Sequence, residues 1–298
     1  MRTISTDGLK PLGPEERGPW LLDDKHLLRT SSGGEPLRTE AAARTVLDSY
    51  RTAKLAGADS PSPVEVVRTD RGYGAVVEYV QGLGLGLHLM IGSFTPDEAG
   101  REMGAILHRL HAFRTEGGRD WNGRFRRWAL ALSDLLPREV GERLSSLVCA
   151  IPASSSLLHG DLNLGNVIVY GGHLALIDME SVGFGHPVFD LAIARSRMFF
   201  NAPNEAKRIG IVDERGEKVI HSMWDALLES YFEDASASEL AEIDRRLTVL
   251  AEVENCCLRH GMGYSGTCGL SDGQRKRLAL CSRRLEALMP RIHRLDFL

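Results

Sequence analysis

"HGDLNLGNVIVYGGHLALIDME", residues 159–180, decides how the rest of the chain is read. It places Asp161 five residues before Asn166, and Asp178 twelve residues beyond that. Between Asn166 and Asp178 lie two short apolar runs, "VIVY" and "HLALI", separated only by Gly171-Gly172. A two-glycine link supplies the positive φ angles of a two-residue hairpin turn. The chain therefore doubles back, and Asp178 returns close to Asn166. Asp and Asn are common in turns, so D-x-x-x-x-N alone carries little. The ordered set of His-Gly-Asp, Asn, hairpin, Ile-Asp and then "GFGHPVFDLA" (183–192) carries far more.

Working outward, 298 residues suffice for one large domain or two modest ones. With 43% hydrophobic and 26% charged residues the chain is globular, and a net charge of -4 argues against a nucleic-acid partner. The N-terminus "MRTISTDGLKPLGPEERGPW" has no apolar h-region and no run is long enough to cross a bilayer, so the expectation is a cytoplasmic protein without a membrane partner. The five cysteines (149, 256, 257, 268 and 281) include no C-x-x-C pair and read as reduced, mostly buried thiols.

The first part of the chain reads as a small sheet with one helix. "PWLLDD" and "KHLLRT" form two strands joined at Asp24-Lys25, and "RTEAAARTVLDSYRTAKLAG" is a helix ending at Gly57. "PVEVVRTDRGYGAVVEYV" is a hairpin turning near Arg71-Gly72, and the glycines of "QGLGLGL" mark a lobe boundary. We assign residues 1–82 to an N-lobe and 83–298 to a C-lobe. The C-lobe is mainly helical: a stripe of Met103, Ile106, Leu107 and Leu110, one or two helices over 125–149, and about four after residue 187. Its single expected β element is the opening hairpin.

Three motifs are set aside. "GPEERGPW" holds Gly13 and Gly18 but offers Pro19 and Trp20 where a P-loop needs Lys and Ser/Thr. "GLGLGLHL" lacks the third glycine of a dinucleotide fingerprint, with Leu87 or Leu89 in its place. His108 and His111 lie three apart without the H-E-x-x-H pattern, and read as surface or half-buried helix residues.

What survives is the chemistry of the opening stretch. Phosphoryl transfer to a hydroxyl needs a carboxylate to orient the acceptor and take its proton, and a few oxygen ligands for Mg²⁺ on the nucleotide phosphates. Protein kinases use H-R-D-x-x-x-x-N and then an Asp after a hairpin. Here Asp161 is the candidate base, with Asn166 and Asp178 the candidate Mg²⁺ ligands. "HGDLNLGN", "LALIDME" and "GFGHPVFDLA" resemble the aminoglycoside phosphotransferase and choline kinase-like superfamily, and most closely its bacterial phosphotransferases of unknown substrate. "VVEYVQG" (76–82) and "LHRLHAF" (107–113) extend the likeness.

The resemblance implies an α+β, protein-kinase-like bilobal fold: a small β-rich N-lobe, a larger helical C-lobe, and ATP or GTP between them as phosphoryl donor. It also implies that His159 and Asp190 support the catalytic loop and that Glu78, Tyr79 and Val80 face the purine. The family's strand lysine, paired to a helix glutamate, holds the phosphates. Lysine is scarce here, at 10, 25, 54, 207, 218 and 276 only, and the aligned position is Arg29, with Glu40 as its expected helix partner. An arginine keeps its charge but is not interchangeable with lysine.

The leading expectation is therefore Mg²⁺-dependent transfer of a γ-phosphoryl group to a hydroxyl of a small-molecule acceptor. The alternative is a nucleotide-binding regulatory pseudokinase with a degraded N-lobe. A third is nucleotidyl transfer on the same fold, identified by release of pyrophosphate. The acidic stretch "ESYFEDASASELAEID" (229–244) suits a cationic acceptor, and equally a solvated helix face.

Overall fold

Residues 1–12, 19–32, 35–200, 214–262 and 270–297 are described by the computed structural model of the chain, except the side chains of Glu214 and Arg259. Gly13, Gly18 and Cys268 lie outside the described residues. Alternating side chains build the first sheet. In β8 (Gly72–Glu78), Ala75 and Val77 face the main core, whereas Val76 packs with Trp20, Leu28 and Val67 on the other face. The sheet runs β1 (Thr3–Ile4), β7 (Pro63–Thr69), β8, β4 (His26–Arg29), β3 (Trp20–Leu21), β2 (Lys10–Pro11). All its neighbours are antiparallel except β1 and β7. A small hairpin, β5 (Ser31–Ser32) with β6 (Glu35–Pro36), follows β4. The 7-residue strands β7 and β8 turn at Asp70-Arg71.

Helix α1 (Glu40–Leu55) starts where Thr39 accepts the Ala42 N–H and stops before Gly57, whose φ of 77° only glycine adopts freely. Its buried face, including Val46, Leu47 and Tyr50, covers the Ala75–Val77 side of the sheet.

The second half is helical: α2 (Leu85–Ile91), α3 (Pro96–Ala112), α4 (Trp121–Ser133), α5 (Arg138–Cys149), α6 (Pro187–Arg195), α7 (Glu214–Tyr231), α8 (Ala237–Glu254) and α9 (Asp272–Leu288). Thr95, Ser236 and Ser271 close capping boxes with Glu98, Glu239 and Gln274. Pro137 separates α4 from α5, so 125–149 is two helices.

More strand appears here than the sequence discloses. β9 (Leu83–Gly84) pairs with β12 (Val167–Tyr170), and β10 (Arg119–Asp120), β11 (Ser156–Leu158) and β14 (Gly183–Gly185) form a separate sheet. The expected hairpin of β12 and β13 (His173–Leu176) turns at Gly171 and Gly172, with φ of 61° and 87°.

Helices α3 and α7 meet through glycine. A Cβ at Gly100 would lie 2.2 Å from the Met223 carbonyl oxygen, and one at Gly104 would lie 2.5 Å from that of Leu227. The backbones touch where no side chain fits. Cys256 and Cys257 are both buried and face apart, Cys257 donating to the Trp128 carbonyl at 3.5 Å. Among the described residues no helix is long and apolar enough to cross a membrane.

Gly100→Ala should lower stability by about 2 kcal/mol through overpacking and the melting midpoint by roughly 5 °C. Gly273→Ala, at an exposed position of α9 with no atom closer than 4.0 Å to the added Cβ, should be neutral or slightly stabilising. Calorimetry of both variants checks the contrast.

Candidate active site

Asp190, in the first turn of α6, is fully buried. Its two oxygens accept the backbone N–H groups of His159 and Gly160, each at 2.8 Å. Oδ2 also meets His111 Nε2 at 3.1 Å, and His111 Nδ1 lies 2.7 Å from the Tyr231 hydroxyl. Burial works against the Asp190 charge, but His111, His159 and the Gly160 N–H outweigh it and lower its pKa. Gly160 has φ of 77°, and a Cβ there would collide with the Trp121 ring at 2.4 Å and the Ser181 carbonyl at 2.5 Å. The loop is thus fixed just before Asp161. His111, expected at the surface or half-buried, is instead 5% exposed, because its imidazole bridges Asp190 and Tyr231.

The loop then closes on itself. His159 Nδ1 accepts the Asp161 N–H at 3.2 Å, and Asn166 donates its amide N–H groups to the Asp161 carbonyl (2.9 Å) and carboxylate (3.2 Å). The amide nitrogen of Asn166 is therefore committed to Asp161, while its side-chain oxygen makes no hydrogen bond to the described residues. Across the hairpin the Ile177 N–H donates to the Asn166 backbone carbonyl at 2.9 Å, which seats Asp178 beside it. Asp178 has φ of 63° and is the one non-glycine residue with positive φ among the described residues. That conformation is uncommon outside glycine and recurs at functional sites. Asp161, Asn166 and Asp178 are brought together.

Arg29 comes to them from the sheet. Its Nη2 meets Asp178 at 3.0 Å, its Nε meets Glu180 at 2.5 Å, and its Nη1 donates to the Tyr50 hydroxyl at 3.3 Å. Burial disfavours the Arg29 charge, but Tyr50, Asp178 and Glu180 outweigh it and raise its pKa. Burial pushes the Tyr50 hydroxyl up to about 12 despite Arg29. Glu40 is not the partner that the helix pattern predicts: its carboxylate forms an exposed pair with Arg44, one turn along α1. Glu180, two residues after Asp178, takes that place.

A second arginine lies at Asp161. Arg197, in a π-helical turn after α6, has its Nε 2.8 Å from Asp161 Oδ1 and its Nη2 3.3 Å from the fully buried Glu254, which also accepts from Ser196. Sequence reasoning missed Glu180, Arg197 and Glu254, although "DME" and "ARSRMFF" hold the first two in plain view.

The other expected residues sit at the end of β8. Glu78 accepts the Ser62 N–H at 2.9 Å, which lowers its pKa against the cost of partial burial. The Tyr79 N–H donates to the Lys25 carbonyl at 2.6 Å, and the Val80 carbonyl accepts from Gly82 at 2.9 Å. The Glu78 carboxylate and the Tyr79 N–H are thus already engaged.

The acidic stretch lies on helices α7 and α8, and Glu239, Glu242 and Ile243 line a cavity of about 640 Å³ with Arg246, Arg294 and Phe297. Glu239 closes a cap, Glu242 pairs with Arg245 and Arg246, and Asp244 binds Arg195 bidentately at 2.7 and 2.9 Å.

A sheet-borne arginine held by Asp178 and Glu180, with the Asp161–Asn166 loop beside it over a helical half, belongs to a two-lobed, protein-kinase-like fold. The chain belongs to the phosphotransferase enzyme family APH, whose family model matches residues 18–227. No curated protein matches it. Among solved structures it is similar to a choline/ethanolamine kinase family protein from Mesorhizobium loti, at 17% identity and TM-score 0.57 over 95% of this chain and 88% of that one. It is similar to the aminoglycoside phosphotransferase APH(2'')-Ib with ADP bound, at 13% identity and TM-score 0.59 over 94% of each chain. The amicoumacin kinase hAmiN, solved with AMP-PNP, Ca²⁺ and Ami, is similar at 15% identity and TM-score 0.60 over 96% of this chain and 90% of that one. At these identities the likeness shows the fold.

Beside the loop, His186 caps α6 by accepting the Val188 N–H at Nδ1, at 3.2 Å. Burial, opposed by Asp296 and helped by the neighbouring His111, Arg114 and Arg294, pushes it down to about 4. Between the ordinary imidazole value near 6.5 and about 4, the unfolded chain binds a proton that the folded chain refuses. Stability should fall as pH drops through that window. His186→Asn, which can still cap, should flatten the slope in urea titrations run from pH 7 to 4.

Proposed function

We propose that the chain transfers the γ-phosphoryl group of ATP or GTP to a hydroxyl of a small-molecule acceptor. This reading divides the lobes between residues 82 and 83, and the pairing of Leu83 and Gly84 with Val169 and Ile168 of the second half supports it. The observation that carries this reading is the closed loop in which Asn166 grips Asp161 while Asp178 faces Arg29.

In this reading Asp161 orients the acceptor hydroxyl and takes its proton, and a group within hydrogen-bond reach of the substrate suits that work. Asp178 and the Asn166 carbonyl oxygen would hold Mg²⁺. One carboxylate and one amide oxygen are hard donors few enough to leave room for phosphates and water in its shell. When bound, the cation neutralises charge on the nucleotide phosphates. His159 and Asp190 keep the loop in register, Arg29 contacts the phosphates, and the Glu78–Val80 segment faces the purine. Nucleic acid and membrane play no part in this reading. One observation favours the pseudokinase alternative: an arginine stands where the family has lysine. The complete Asp161, Asn166 and Asp178 set speaks for turnover.

The test is incubation with ATP or GTP and Mg²⁺ across a panel of alcohol acceptors, with nucleotide products separated by chromatography. ADP or GDP should form. Asp161→Asn should lower turnover by about 10²- to 10⁴-fold while nucleotide still binds. Pyrophosphate in place of the diphosphate would show nucleotidyl transfer, and bound nucleotide without turnover would leave the pseudokinase.

A further inference from the structure

We propose that Arg29 is a phosphate-binding group held in check by Asp178 until a divalent cation takes that carboxylate, and that Glu180 is the residue that positions it. This deepens the reading above and rests on it.

The geometry is specific. Each of the three guanidinium nitrogens has its own partner, and these partners differ in exposure. Glu180, at Nε, has a side chain only 8% exposed, whereas Asp178, at Nη2, is 38% exposed and opens to solvent. Tyr50, at Nη1, is buried. Arg29 is thus anchored from behind by a carboxylate that cannot turn to water and tethered in front by one that can. The left-handed Asp178 followed by the short turn Met179–Ser181 aims both carboxylates at the same arginine.

Charge adds direction. Asp178, the more exposed of the two carboxylates on this guanidinium, is the one a cation can reach. A dication on Asp178 repels the Nη2 edge of Arg29 but leaves its Nε on Glu180. The guanidinium then stays in place with one edge released, and the nearest incoming anion is a nucleotide phosphate. A lysine has a single point charge and no second edge, so it could not remain anchored while letting go. The same geometry accounts for Glu40 being free to pair elsewhere: the anchor has moved to the other side of the cleft.

The experiment is ATP binding by calorimetry, in EDTA and in Mg²⁺, for wild type, Asp178→Asn, Arg29→Ala, the double variant, and Glu180→Gln with Glu180→Asp. Asp178→Asn should bind metal-free ATP about 5- to 10-fold more tightly than wild type, by the coupling expected of a broken ion pair. That gain should vanish in the Arg29→Ala background, because the freed group is then missing. Glu180→Gln should weaken Mg²⁺-ATP binding by about tenfold and metal-free binding far less, with Glu180→Asp restoring part of the loss. A gain of equal size with and without Arg29 would reduce Asp178 to general repulsion and overturn the proposal. So would Glu180→Gln binding Mg²⁺-ATP like wild type. Should Glu180→Gln fail to fold, the Arg29 and Asp178 cycle decides alone. A wild type that binds neither ATP nor GTP under any condition would remove the phosphotransfer reading and this one with it, a result distinct from nucleotide binding with additive effects.

Discussion

The candidate site hangs on one buried carboxylate. Asp190 carries its charge into the core, where an unpaired ion would cost several kcal/mol, and compensates it with two backbone N–H groups and His111. Those N–H groups belong to the two residues before Asp161, so the same bonds that make the charge tolerable also set where the loop points. Trp121, bonded to the Ser181 carbonyl at 3.1 Å, walls the other side and admits only glycine at 160. Through His111 and Tyr231 the grip passes to α3 and α7. The position of Asp161 is in this sense a property of the helical core.

Two arrangements of the same kind recur at the site. Asp178, Arg29 and Glu180 form one, and Asp161, Arg197 and Glu254 the other. In each, an arginine lies between a partly exposed carboxylate at the cleft and a buried one behind. Arginine suits this because its planar fork serves two anions at once, with fixed geometry. Only the first spans both halves of the molecule, since Arg29 and Glu180 lie 151 residues apart.

That separation explains what could be read from the sequence. The hairpin, the Asp161–Asn166–Asp178 spacing, and the first helix with its end at Gly57 rest on contacts between near neighbours, which composition and turn chemistry report. Glu180 carries no such signal, because its relation to Arg29 exists only once β4 and the turn after Asp178 converge. Glu40 was the natural choice from helix geometry, yet Arg44 lies one turn away and satisfies it first. His111 was misjudged for a related reason. His108 and His111 look alike on a helix, and only the presence of Asp190 under one of them separates them. Strands of two or three residues, such as Leu83–Gly84 and Ser156–Leu158, are too short to show a period.

The glycine contact between α3 and α7 bears on how the molecule can move. Packed cores deform little and tend to change state as blocks. Two helices whose backbones touch at Gly100 and Gly104 have no side-chain cushion to slide on, so this part of the helical half is expected to behave as a solid base plate. Breathing of the two halves would then fall to Gln81-Gly82, the short link ahead of the paired Leu83–Gly84 strand. Under that division of stiffness, the helical half keeps its shape while the sheet half tilts against it.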